Sequence, residues 1–176
     1  VKWLLQHNIP FIFYPCVPYE RPEFREANNH YNCPIVTSYA ENIKNNMEEL
    51  RSDRFDFRNP FLSFESLEIL TRRLIEEFEG DRNLTAAEIG EAAKAGWEEL
   101  RQARLDIRQK GEEALQWMEE HHAHGIVLAG RPYHIDREIN HGIPELINGY
   151  GLAVLPEDSI SHLHEEERPL RVMDQW

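Results

Sequence analysis

Three short, unbroken apolar runs stand out along this chain: Ile9–Tyr14 (IPFIFY), Ile126–Ala129 (IVLA) and Leu152–Leu155 (LAVL). A run that stays apolar without alternating is what a strand buried on both faces requires. Pro15 ends the first run and Gly130 the second. A polar loop, Arg131 to His141, follows Gly130. Pro144 then suits the first turn of a helix, where its missing N–H costs nothing, and Gly149 and Gly151 suit the end of one. Strand, crossover helix, strand is a βαβ unit, so the second and third runs should pair in parallel. All three runs are expected in one mainly parallel sheet. Phe55–Phe61 alternates aromatic and polar residues, a weaker strand pattern.

Helical spacing appears elsewhere. Val1, Leu4 and Leu5 have it, and Asn8 ends it. Ser38 with Glu41 fits a capping box and predicts a helix over about 39–50. Before it, Val17 to Tyr31 carries two prolines, several charges and Asn28-Asn29. That stretch reads as a long loop, which in a compact domain is usually functional or mobile. From Ser63 onward Leu67, Leu70, Leu74 and Phe78 recur at helical spacing, with Gly80 as the stop. Thr85 with Glu88 is a second capping box. It opens a long helix whose stripe is Ile89, Ala93, Trp97, Leu100, Ile107, Ala114, Leu115 and Met118, ending near His121. At ~1.5 Å per residue that helix spans ~50 Å, so it should project or bend near Gly96 or Gly111. The expected architecture is α/β. Residues 1–62 and 124–176 form a Rossmann-like, mainly parallel domain, and 63–123 form a long helical hairpin inserted into it and standing off the sheet.

The charge balance narrows the function. With 19 basic and 32 acidic residues the net charge is −13. Nucleic-acid binding needs Lys and Arg in excess, so that class is set aside. The acidity fits solvated helix surfaces, or a basic partner. No apolar run approaches the ~20 residues that span a membrane. Two cysteines make no disulfide framework, and a cytoplasmic setting is expected. Val1 opens mid-pattern without an initiator Met, which reads as an excerpt of a longer protein.

Candidate chemistry lies in two places. Cys16 and Cys33 each adjoin a proline, at Pro15-Cys16 and Cys33-Pro34, beside the ends of regular elements. Their spacing is not a zinc motif. The plain alternative is two small buried apolar residues, although a helix N-terminus near Cys33 would favour a thiolate. The second place is the loop after Gly130. In parallel sheets ligands gather beyond the carboxyl ends of the strands, where Arg131, Tyr133, His134, Asp136 and His141 should line a cleft. Arg131 suits a phosphate or carboxylate. The alternative is a structural loop in which Asp136 caps a turn. The pairs His122/His124 and His162/His164 are weaker metal candidates. No GxGxxG, Walker A, GxSxG or HExxH motif is present.

Two blocks of sequence carry a family resemblance. GRPYHIDREINHGIPELINGYGLAVLPEDSIS, with FYPCVPYE and NCPIVTSYAENIKNN, closely resembles blocks in the large acyl-CoA dehydratase activase-related proteins of anaerobic bacteria. The resemblance covers roughly 1–50 and 124–164 and leaves the helical region less distinctive. It implies the dehydratase-subunit-like region of such a protein, not its actin-like ATPase module. On this resemblance the fold is Rossmann-like, and Cys16 and Cys33 become candidate ligands of a [4Fe–4S] cluster in the intact protein. The implied partners are the ATPase module, a dehydratase subunit or an acyl-CoA substrate, and the implied role is iron–sulfur electron transfer. A [4Fe–4S] cluster normally takes four cysteines and dehydratase subunits supply three, so two cysteines leave the set incomplete. The rival expectations are a metal-free module that binds a partner or a CoA-like ligand, and a structural or oligomerisation domain.

Overall fold

The computed structural model describes residues 1–22, 27, 29–52, 54–130 and 132–164. In chain order the elements are α1 (Lys2–Gln6), β1 (Phe11–Phe13), β2 (Cys16–Tyr19), α2 (Pro34–Asn46), β3 (Asp56–Arg58), β4 (Phe61–Ser63), α3 (Leu67–Phe78), α4 (Ala86–Glu120), β5 (Gly125–Leu128), α5 (Arg137–Asn140), α6 (Ile143–Gly149) and β6 (Ala153–Pro156). The fold is mixed α/β with short parallel strands. The chain packs as two units, one comprising Val1–Trp97 and one beginning at Glu98. The division falls inside α4, which runs as one 35-residue helix.

The first unit is built on a two-strand parallel ribbon. β1 pairs with β3 (Phe11 opposite Asp56) and β2 with β4 (Cys16 opposite Phe61). Both pairings have the same offset, since 56 − 11 and 61 − 16 are both 45. Backbone bonds from Tyr14 to Arg58 (2.9 Å) and from Cys16 to Pro60 (2.9 Å) carry the ladder across the gap. One ribbon is therefore interrupted where Pro15 and Pro60, neither with an N–H to donate, stand at the same level. The register slips by one residue only beyond Cys16, in the stretch containing Pro18. The first strand thus continues past Pro15, and Cys16 lies inside the ribbon where the sequence pattern placed it just past a strand end.

α2 is the crossover between the two halves of this ribbon, so 11–63 is itself a βαβ unit. It begins at Pro34, earlier than the Ser38 capping box predicts, because Pro34 sits at the first helical position with Cys33 as N-cap. Leu5, Ile12, Leu50 and Phe57 form the buried core beneath it, with Val1, Leu4, Ile43, Met47 and Phe55 around them.

α3 begins where Ser66 accepts from the Ile69 N–H, and Gly80 (φ 79°) follows its end. It does not stand off the sheet. Phe78 meets Phe13 and Phe11 edge-on at 5.2 and 6.3 Å, and the Arg58 guanidinium reaches the Glu77 carbonyl (3.3 Å) and Asp81 (3.0 Å). α3 therefore belongs to the α/β layer. The Thr85–Glu88 capping box forms reciprocally and starts α4, and the first turns of α4 lie on α3, with Gly90 facing Thr71.

In the second unit β5 and β6 pair in parallel, Gly125 opposite Ala153 through Leu128 opposite Pro156. This is the predicted βαβ unit. The expected single sheet does not form: the described strands make the interrupted ribbon of β1–β4 and a β5–β6 pair not hydrogen-bonded to it, and Phe11–Phe13 pairs with 56–58. Gly111 lets α4 touch the 157–159 turn, where a Cβ would stand 2.2 Å from the Ser159 carbonyl oxygen. His162 Nε2 on Glu112 (2.7 Å) pins the next turn to the same helix.

Candidate functional site

Cys33 stands at the start of α2 and Cys16 lies against its middle. Thr37 Oγ1 donates to the Val17 carbonyl (3.2 Å), so the second turn of α2 lies over β2. Cys16, one residue earlier, is fully buried at 0% exposure and lies against Glu41 in the later turns. Cys33 caps the start of the helix and is half-buried; its N–H is taken by Asn32 Oδ1 at 2.8 Å. Eight residues separate Cys33 from Glu41, or ~12 Å of helix axis.

Around Cys16 lies a polar network that the sequence did not announce. Asn59 is 8% exposed, accepts from Lys44 Nζ (2.9 Å) and donates to the Glu41 carboxylate. Burial pushes the Cys16 thiol up, with the Glu41 carboxylate adding to it. The Glu41 N–H, the Asn59 amide and the Lys44 ammonium pull the other way without cancelling it. A protonated, sealed thiol is a poor metal ligand. Among the described residues no three His, Cys, Asp or Glu side chains come together as a metal seat. Cys16 and Cys33 therefore do not fit a shared cluster. Near Cys33 the Tyr19 and Tyr31 rings meet at a tilt with centroids 5.0 Å apart, and a hydrogen bond donated to Tyr31 holds the Tyr19 phenol above its ordinary range.

The loop after β5 is placed by the βαβ unit at the carboxyl edge of its strand pair. Tyr133, His134, Asp136 and His141 are all exposed. Asp136 is the N-cap of α5, its carboxylate accepting from the Glu138 (2.9 Å) and Ile139 (3.3 Å) N–H groups. His141 ends α5 in a left-handed conformation (φ 53°). The His134 ring folds back over Gly130, where a Cβ would stand 2.3 Å from Nδ1, and meets Tyr133 edge-on. Arg131 lies outside the described residues. The capping role of Asp136 is the structural alternative foreseen for it.

The unexpected feature is apolar exposure. Ile126 and Val127 of β5 are adjacent and both exposed. Successive strand residues point to opposite faces, so both faces of a strand with core composition are left partly open, although Met118 of α4 lies against Gly125 at the strand's start. α6 packs on β6 yet leaves Ile143 and Leu146 exposed, as is Tyr150 just past its end. The signal was present in the sequence: α6 and its C-cap are apolar at 143, 146, 147 and 150, more than one buried stripe can use.

Among known families, residues 1–160 match the one described as CoA enzyme activase uncharacterised domain (DUF2229). No curated protein and no solved structure matches the chain.

Proposed function

The chain belongs to the CoA enzyme activase domain family just described, and from that premise we propose that it is a docking module of an acyl-CoA dehydratase-activating system. The open β5 strand carries this reading. A parallel pair is normally covered on both faces, and a lone two-stranded pair is marginal in water. Ile126 and Val127 would gain burial against another component. The candidates are the actin-like ATPase module and a dehydratase subunit, with Tyr133 and His134 at the margin of the contact. Ligand contact by Arg131, Tyr133, His134, Asp136 and His141 would be part of the same docking.

The test is binding of the purified ATPase module and of a dehydratase subunit to the chain. Val127→Lys should weaken whichever complex forms by tenfold or more and leave the fold intact, because Val127 is exposed. Equal binding by the variant would contradict the reading.

A second reading keeps the iron–sulfur role and rests on Cys33, the half-buried thiol at the start of α2. Here Cys33 contributes one ligand and another domain the rest. Anaerobic reconstitution of the intact protein should then lose iron in Cys33→Ala and keep it in Cys16→Ala. Iron unchanged in Cys33→Ala would remove the cluster from this domain.

A further inference from the structure

β1 and β5 are entered from helix ends of one build. α1 closes in WLLQHN (3–8) and α4 in WMEEHH (117–122), 114 residues later. At both ends a His ring stacks on the Trp ring four residues back, at 4.0 Å for Trp3–His7 and 4.5 Å for Trp117–His121. Its Nδ1 donates to the carbonyl of that Trp, at 2.8 Å in each case. The next residue is left-handed without being glycine, Asn8 at φ 55° and His122 at φ 51°. The following N–H closes the turn, Ile9 on the Leu4 carbonyl (3.1 Å) and Ala123 on that of Met118 (2.8 Å). A left-handed residue and that last bond occur at many helix ends. The Trp–His clasp is an addition to them.

The correspondence continues at the same offset. The carbonyls of Pro10 and His124 accept from the first residue of the partner strand, Asp56 at 2.8 Å and Ala153 at 2.9 Å. Phe11 opposite Asp56 then matches Gly125 opposite Ala153, and Ile12 opposite Phe57 matches Ile126 opposite Val154. Pro18-Tyr19 falls on Pro132-Tyr133, and each Tyr ring meets a His ring, His30 at 5.8 Å and His134 at 4.8 Å. Two helix ends alike by chance would fix neither the register of the partner strand nor the Pro-Tyr step. We infer that the chain repeats one helix–strand–crossover–strand unit, and that the Trp–His clasp is the positioning device of the repeat. His7 sets the entry of β1 and His121 that of β5. Only the bearing of His121 on partner binding rests on the docking reading.

The test uses the 176-residue chain. His7→Ala should speed amide exchange at Ile9, and His121→Ala at Ala123, by tenfold or more, each leaving the other amide unchanged. Trp117→Ala added to His121→Ala should speed it no further, because members of one clasp act together. Corresponding positions should be interchangeable. Asn8→His and His122→Asn should therefore leave the melting midpoint within error. Asn8→Val and His122→Val should each lower it by about 3 °C or more, since a β-branched residue is strained at positive φ. Unchanged exchange in either His variant would overturn the clasp. A transfer variant that melts as low as its valine counterpart would overturn the repeat. Where the ATPase module or a dehydratase subunit binds through Val127, His121→Ala should weaken that complex threefold or more. Unchanged affinity beside faster Ala123 exchange would overturn the bearing of His121 on docking. Failure of both components to bind the parent chain would overturn the docking reading, while the exchange and melting results would still decide the repeat.

Discussion

Asn59 is a polar side chain where an apolar one would cost less to bury. It repays that cost by joining Lys44 and Glu41 of α2 to the ribbon at its proline break. Asn59→Ala leaves both charged partners short of a hydrogen bond and should cost about 1–3 kcal/mol, read as a lower urea midpoint with an unchanged slope. A midpoint within error of the parent would contradict the network. Cys16 beside it should resist alkylation in the native chain while Cys33 reacts, so one thiol per chain is labelled until the protein unfolds. The Cys16 thiol has a higher pKa folded than unfolded. Its contribution to stability is therefore complete below the unfolded thiol's pKa, about 8.5, and is lost as pH rises through the raised value. Cys16→Ala should remove that part of the alkaline decline in midpoint. Neither Asn59 nor the sealing of Cys16 was legible in the sequence, because a Pro15-Cys16 step looks the same at a loop as inside an interrupted ladder.

Two glycines of α4 give opposite expectations. At Gly111 a Cβ would collide with backbone, 2.2 Å from the Ser159 carbonyl oxygen, whereas at Gly96 it would meet nothing within 4 Å. Gly111→Ala should therefore destabilise by about 1–3 kcal/mol, and Gly96→Ala should stabilise by roughly 0.5–1 kcal/mol. Thermal melts of the two variants check both signs, and a stabilising Gly111→Ala would refute the close approach. At the helix start, hydrogen bonds from the Thr85 hydroxyl and N–H hold the Glu88 carboxyl below its usual range. A depressed folded pKa gives stability that is present above the unfolded value, about 4.3, and is lost as pH falls through the folded one. Thr85→Ala should flatten the acid side of the profile. Elements marked by such local chemistry were readable in advance: the Thr85–Glu88 box and the Gly80 stop stand where predicted. The Ser38–Glu41 box does not cap, because Pro34 starts the helix four residues earlier and leaves Ser38 in its interior. β2 was hidden by Pro15 and Pro18, which read as loop residues although their neighbours complete the ladder.

Across the whole molecule, the α/β class and the βαβ unit of β5 and β6 followed from apolar runs and a crossover. Which strand pairs with which did not, because an apolar run states that a strand wants burial and not what buries it. Phe11–Phe13 found Asp56–Arg58, the weakest of the strand patterns, and the single sheet gave way to separate ladders. The candidate loop was legible as a place and not as a chemistry: Asp136 and His141 shape α5, while the apolar excess on β5 and α6 shows only once exposure is known. That excess is the surface the proposed docking would use. The most direct measurement is hydrogen exchange over 125–128 and 143–150, in the chain alone and with the ATPase module or a dehydratase subunit bound. A docking module should exchange rapidly over both segments when free and become protected at least tenfold over both in one complex. Exchange that stays unchanged over both segments with either component present would contradict it.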